Sequence, residues 1–266
     1  FNFTSCTQKK ENISIIKEKS LEMQMIETYR AGIDELNKND VIYAAKKFNE
    51  AELLYPQSIW APRAALMAAY AYFSQLYYDD AILELEKFLD RYKKHTNRDY
   101  AYYMLALSHY NLIVDETKDL DEILKAKKYF RIVIEKYPNT EFAIDSEFKL
   151  LLIQEILASK EMYIARYYID REKWIPAINR FKTVIEDYET TIYVEEALHR
   201  LVELHYNLGL QEESKKYASL LGYNYQSSEW YEESYKILNE DYVKISKNEK
   251  SEDKNSILQK LKDLLK

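Results

Sequence analysis

Apolar positions recur at helical spacing along most of this chain. Ala44, Phe48 and Ala51 stand at i, i+4 and i+7, which is one face of a helix, and Tyr55-Pro56 closes the run. The same order returns as Ala126, Phe130, Val133 and then Tyr137-Pro138. Three further copies lack the proline: Ala81, Leu85, Phe88 and Tyr92; Ala177, Phe181, Val184 and Tyr188; Ser214, Ala218, Leu221 and Tyr225. In all five, the tyrosine follows the first small residue at the same offset.

A second small residue precedes most copies. Gly32, Ala69, Ala165 and Val202 each stand twelve residues before the first small residue of a copy, as two closely crossing helices require. Small residue, aromatic, small residue and then proline is the second-helix signature of the tetratricopeptide repeat, a helix-turn-helix unit of about 34 residues. The spacing therefore predicts an all-α, right-handed superhelical solenoid of five such hairpins. In the third, Ala106 lies 37 residues after Ala69 but 20 before Ala126, so eight residues are inserted around Val114 to Asp121, rich in Asp, Glu and Lys as suits an exposed loop. From Pro138 to Ala165 is 27 residues, where Pro56 to Ala69 is 13, so the first helix of the fourth unit is predicted to start early, near Glu141. The alanines and Phe48, Phe130 and Phe181 are read as core.

Composition narrows the chemistry. Only 3 glycines and 4 prolines punctuate 266 residues, too few for the turns of an all-β protein. Gly32, Gly209 and Gly222 are too far apart for a glycine-rich phosphate loop. Against 45 acidic side chains there are 38 basic ones, giving a net charge of −7 without any basic run beyond paired lysines, so no nucleic-acid partner is expected. The longest apolar stretch, Ala65 to Phe73, is far short of the about 20 residues that span a bilayer. One cysteine, Cys6, excludes an intrachain disulfide or a thiolate metal cluster. His95, His109, His199 and His205 approach no closer than six residues, off the i, i+4 spacing of a metal pair. No metal, cofactor or catalytic set is predicted, and the chain is read as a non-enzyme.

The 26 tyrosines divide in two. Tyr55, Tyr92, Tyr137, Tyr188 and Tyr225, at the ends of second helices, are read as packing between repeats with a hydrogen-bonded hydroxyl. Tyr29, Tyr70, Phe73, Tyr100, Tyr103 and Tyr110 fall on or near the inner face of first helices. There they either form an aromatic peptide-binding groove or fill the space between superhelical turns, and spacing alone leaves both open.

At the start of the chain, Phe1-Asn2-Phe3-Thr4-Ser5-Cys6 resembles a bacterial lipobox, with Phe3 where leucine is usual, so Cys6 is the expected lipid-attachment site. The expected organisation is a leader remnant and polar tether over 1–24, the five repeats with a C-terminal helix over 25–242, and a charged tail over 243–266. That tail is partly amphipathic at Ile257, Leu258, Leu261, Leu264 and Leu265.

Several stretches together carry a family resemblance. Arg98-Asp99-Tyr100-Ala101-Tyr102-Tyr103-Met104, Val114-Asp115, Tyr137-Pro138-Asn139-Thr140, Ile164-Ala165-Arg166-Tyr167-Tyr168, Ala177-Ile178-Asn179-Arg180 and Asn224-Tyr225-Gln226-Ser227-Ser228-Glu229-Trp230-Tyr231 resemble the BamD-type outer-membrane assembly lipoproteins, from about Met25 to Leu238. The resemblance implies a periplasmic scaffold of the β-barrel assembly complex, held on the outer membrane by its lipid. Its implied partners are the β-barrel insertase, other assembly lipoproteins and unfolded outer-membrane proteins. In that family the amino-terminal units recognise peptides ending in an aromatic residue. Here Tyr29, Tyr70, Phe73, Tyr100 and Tyr103 would receive the ring, and Arg63 and Arg98 are the cations available for the carboxylate. The carboxy-terminal units dock the insertase, and Arg180 matches the family's Asn-Arg docking position. The chain departs from the family at Glu116 and Leu120, where arginines are common. The alternative reading is a tetratricopeptide adaptor in another envelope process, such as cell-wall remodelling or division.

Overall fold

A computed structural model of the chain describes residues 19–113 and 120–239. Cys6, Glu116 and the segment 243–266 lie outside the described residues. Among the described residues there are helices and no strand, so the all-α expectation holds. The helices are α1 (Leu21–Asn37), α2 (Val41–Leu54), α3 (Ala61–Ser74), α4 (Tyr78–Arg91), α5 (Arg98–Asn111), α6 (Asp121–Lys136), α7 (Glu141–Ile169), α8 (Trp174–Asp187), α9 (Val194–Asn207), α10 (Gln211–Asn224) and α11 (Glu229–Leu238). Each repeat copy is one consecutive pair, and α7 begins at Glu141 as the spacing requires. The first helix opens earlier than residue 25, because the Ser20 hydroxyl accepts the Met23 amide at 3.3 Å and caps it.

Four hairpin turns share one backbone device. Asn39, Leu76, Glu172 and Gly209 have φ of 63°, 66°, 57° and 77°. In each turn the following amide reaches back five residues: Asp40 to the Glu35 carbonyl, Tyr77 to Tyr72, Lys173 to Tyr168 and Leu210 to His205, at 2.9–3.1 Å. This left-handed termination satisfies carbonyls that the helix end leaves unpaired. Glycine fills the position once; elsewhere the reversal is imposed on residues that resist it.

The helices form two compact units. Among the described residues, the first comprises those up to Leu112 together with Glu135–Phe142, and the second the described residues of Ile113–Ile134 together with those from Ala143 on. In the first, α1, α2, α3, α4 and α5 pack in chain order. Phe48 is fully buried with Ala44, Ala45, Ala68 and Ala71, and its ring leaves no room above Gly32. A Cβ at Gly32 would sit 2.8 Å from Phe48 Cε1, which is the close crossing that the small-residue rule anticipates. Glu52 of α2 is buried and accepts hydrogen bonds from Arg91 and from the Tyr92 hydroxyl. That bond joins two hairpins through a second-helix tyrosine, and burial together with Glu52 pushes the phenol well above its ordinary range.

In the second unit, Met162 and Ala165 of α7, Ala177, Phe181 and Val184 of α8, and Leu198 and Leu201 of α9 form the core, with Tyr188 and Tyr225 packed on it. The Ser214 hydroxyl donates to the Val202 carbonyl at 2.9 Å, so here the two paired small residues bring α10 against the backbone of α9. The last helix, α11, is fastened to α9 by polar groups. His199 Nδ1 and the buried Ser234 hydroxyl are 2.9 Å apart, and Trp230 packs on the His199 ring at 5.1 Å. The His199 imidazole beside Glu203, helped by Arg200 and opposed by burial, holds its carboxyl down to about 2.

Two outcomes follow from this packing. In Gly32→Ala, the gain of about 1 kcal/mol in helix propensity is outweighed by overpacking of about 1–3 kcal/mol against Phe48. Denaturant titration should show the loss shrinking or reversing in a Phe48→Leu background, where the contact is relieved. For Glu203, a folded pKa of about 2 against its ordinary 4.5 gives stability that is present above 4.5 and lost as pH falls through 2. The stability difference between wild type and Glu203→Gln should therefore shrink as pH falls from about 4.5 through 2.

Candidate functional site

In the first unit, the inward positions of three first helices converge. Arg63, Leu66, Met67 and Tyr70 recur at i, i+3, i+4 and i+7 along α3, with Tyr29 on α1 and Asn97 and Tyr100 at the start of α5. Together they line a cleft of about 450 Å³. Four of the seven residues expected in the groove, Tyr29, Arg63, Tyr70 and Tyr100, lie in that lining. Leu66, Met67 and Asn97 complete it. Leu66 and Met67 share the α3 face with Tyr70 and were legible as neighbours, whereas Asn97 sits outside any helical period.

The aromatic residues differ in how they are held. Tyr29 is half-buried, edge-on to Phe48 at 5.2 Å and to Trp60 at 5.7 Å, so it serves both core and cleft. Tyr100 leans on Phe142 at 5.6 Å. Tyr70 is the exposed member, at 41%. Burial raises the phenol pKa of Tyr29, against an opposing effect of Arg63, and also that of Tyr100, so both rings are neutral donors at neutral pH.

Arg63 supplies the positive charge of the cleft. Its guanidinium lies 5.1 Å from the Trp60 ring, a cation–π contact that steadies it without using its hydrogen-bond donors. Among the described residues it has no carboxylate partner. His95 is kept neutral by burial and by the nearby Arg63 charge, both of which lower its pKa. The cleft thus offers an apolar floor, three phenols and one cation whose fork of donors is open.

The remaining expected groove residues are engaged elsewhere. Arg98 donates to the Leu89 carbonyl at 2.6 Å, to the Tyr92 carbonyl at 3.2 Å and to the Tyr102 hydroxyl at 3.0 Å. Those acceptors occupy the guanidinium, so Arg98 staples the α4–α5 turn, and Asn97 takes its place in the lining. Phe73 packs edge-on to Tyr78 at 5.5 Å within its own hairpin. Tyr103 stacks on Phe142 at 5.1 Å and 29°. Tyr110 is half-buried, and burial raises its pKa. The choice between groove and core is therefore made residue by residue.

In the second unit, Arg180 of α8 meets Glu161 of α7 at 3.0 Å, with 41% of its side chain still exposed. A carboxylate within the chain thus already occupies the guanidinium that was expected to reach a partner. Among the described residues there is no group of three or more His, Cys, Asp or Glu placed to hold a metal ion, and no helix long and apolar enough to cross a membrane.

Comparison with known proteins agrees with the family resemblance of the sequence. A family model described as outer membrane lipoprotein (YfiO) matches residues 21–221. The chain is 40% identical over 233 residues to the outer membrane protein assembly factor BamD of Rickettsia prowazekii, covering 88% of this chain and 90% of that one. It is 37% identical over 213 residues to BamD of Caulobacter vibrioides, covering 80% and 70%. To BamD of Neisseria gonorrhoeae it is 32% identical over 188 residues, covering 67% and 70%. The chain belongs to this BamD-type family of outer membrane protein assembly factors.

The two arginines expected to share one role should separate by experiment. Arg98→Ala breaks three hydrogen bonds of a charged donor and should lower stability by about 1–3 kcal/mol, a fall in melting temperature of several degrees. Arg63→Ala should leave the melting temperature within about 2 °C of wild type, since it removes one exposed cation–π contact.

Proposed function

We propose that the chain is a non-enzymatic scaffold on the periplasmic face of the outer membrane, anchored by lipid at Cys6, that receives unfolded outer-membrane proteins and passes them to the β-barrel insertase. Its membership of a family of assembly factors supports the role. The observation that carries the substrate reading is the open guanidinium of Arg63 in a cleft with Tyr29, Tyr70 and Tyr100. A peptide ending in an aromatic residue seats its ring among the phenols and its carboxylate on Arg63, as a bidentate, charge-assisted pair. Aromatic rings lose little conformational freedom on binding, so they suit a site that meets many substrates sharing only a terminal ring.

The second unit would dock the insertase, with Arg180 offering the exposed part of its guanidinium beside Glu161. Other assembly lipoproteins and the membrane itself complete the set of partners.

The test is binding of a fluorescent peptide with a carboxy-terminal phenylalanine to the intact chain. Tyr70→Ala and Arg63→Ala should each weaken binding by about 1–3 kcal/mol while folding is retained. Amidating the peptide carboxylate should cost wild type a similar amount and Arg63→Ala nothing further, because the two changes remove one interaction. Equal loss on amidation in both proteins would remove Arg63 from the site.

A further inference from the structure

The second unit carries a polar cleft of about 770 Å³ where the end of α10 turns into α11. Its lining includes Glu195 from the start of α9, Tyr223 from the end of α10, and Gln226 and Ser227 from the turn. The acidic side chains of α9 divide sharply. Glu196 accepts from Arg166 at 2.9 Å, and Glu203 is paired with Arg200 at 2.7 Å. Glu195 alone among them, within the described residues, has neither an ion pair nor a hydrogen bond.

Tyr223 is the second oddity. Its side chain is 84% exposed, the most of any large hydrophobic side chain described, and among the described residues no ring or cation packs on it. Within the same residues, Gln226 and Ser227 likewise have uncommitted side chains. The turn itself is held independently: Tyr225 packs on the core, the Asn224 amide donates to the Leu220 carbonyl at 3.1 Å, and Ser228 caps α11. The cleft therefore presents a carboxylate side chain, an open aromatic face and uncharged hydrogen-bonding groups on a fixed backbone.

We propose that this cleft captures an arginine side chain presented by a protein partner. A guanidinium is planar, so it can stack on the Tyr223 ring while its fork of donors meets the Glu195 carboxylate and its edge meets Gln226 and Ser227. The chain uses the same stacking internally, where Arg171 lies 3.6 Å from the Tyr167 ring centre. A lysine ammonium offers no plane to stack and is more strongly hydrated, so arginine is the preferred cation. This surface selects a cation, whereas the cleft of the first unit selects an anion and a ring, so the two readings stand or fall separately.

The test uses the full chain and small probes: acetyl-arginine amide, its uncharged isostere acetyl-citrulline amide, and chitobiose. In amide NMR spectra, acetyl-arginine amide should shift the Gln226 and Ser227 signals saturably in the millimolar range, with citrulline at least about fivefold weaker. Glu195→Gln and Tyr223→Ala should each weaken the arginine response about threefold or more, with the rest of the spectrum unchanged, because neither side chain has an internal partner. Equal responses to arginine and citrulline, an unaltered response in Glu195→Gln, or the absence of any shift at these amides would overturn the proposal. Shifts with chitobiose in place of arginine would assign the cleft to a sugar and also overturn it.

Discussion

Much of this structure depends on how closely the two helices of a hairpin can approach. At Gly32 the backbone of α1 comes so near the Phe48 ring that even a methyl group would collide. At Ser214 the approach is registered by a hydrogen bond from its hydroxyl to the Val202 carbonyl. Close approach lets an aromatic ring be fully enclosed within a hairpin, as Phe48 is in the first unit and Phe181 in the second. Enclosing those rings supplies the main favourable term for hairpins too short to be stable alone. The left-handed turn residues complete the constraint, because helices crossing this tightly must reverse within a few residues.

Once the hairpins are closed, the arginines decide which surfaces remain available. Arg98 is spent on carbonyls of the preceding helix, and Arg180 on Glu161. Arg63 differs because its neighbour is a tryptophan ring, which holds a guanidinium by its face and leaves the donors open. The same residue type therefore acts as a staple, as an ion-pair partner and as a cation held by a ring face. What separates these roles is the acceptor within reach, and which neighbour that is depends on how the turns and helices pack.

Tyrosine is distributed by the same logic. Tyr92 bonds a buried carboxylate across hairpins, Tyr29 is shared between core and cleft, and Tyr223 stands in solvent. A phenol suits this range because one end of the ring is apolar and the other can donate.

The helical period, the recurring small residues and the tyrosine at a constant offset were enough, by themselves, to specify five hairpins, an all-α fold, the buried Phe48, Phe130 and Phe181, and the early start of α7. These are legible because they depend on spacing along a single helix and on one repeated crossing. The inward faces of α1, α3 and α5 were legible too, which is why Tyr29, Arg63, Tyr70 and Tyr100 could be named as neighbours. Only tertiary structure decided that Arg98 bonds Leu89 and Tyr92, that Phe73 and Tyr103 pack on Tyr78 and Phe142, and that Asn97 enters the cleft. Each of those outcomes turns on the distance to a group on another helix or in a turn. Periodicity gives the direction in which a side chain leaves its helix, and only packing gives what it meets there.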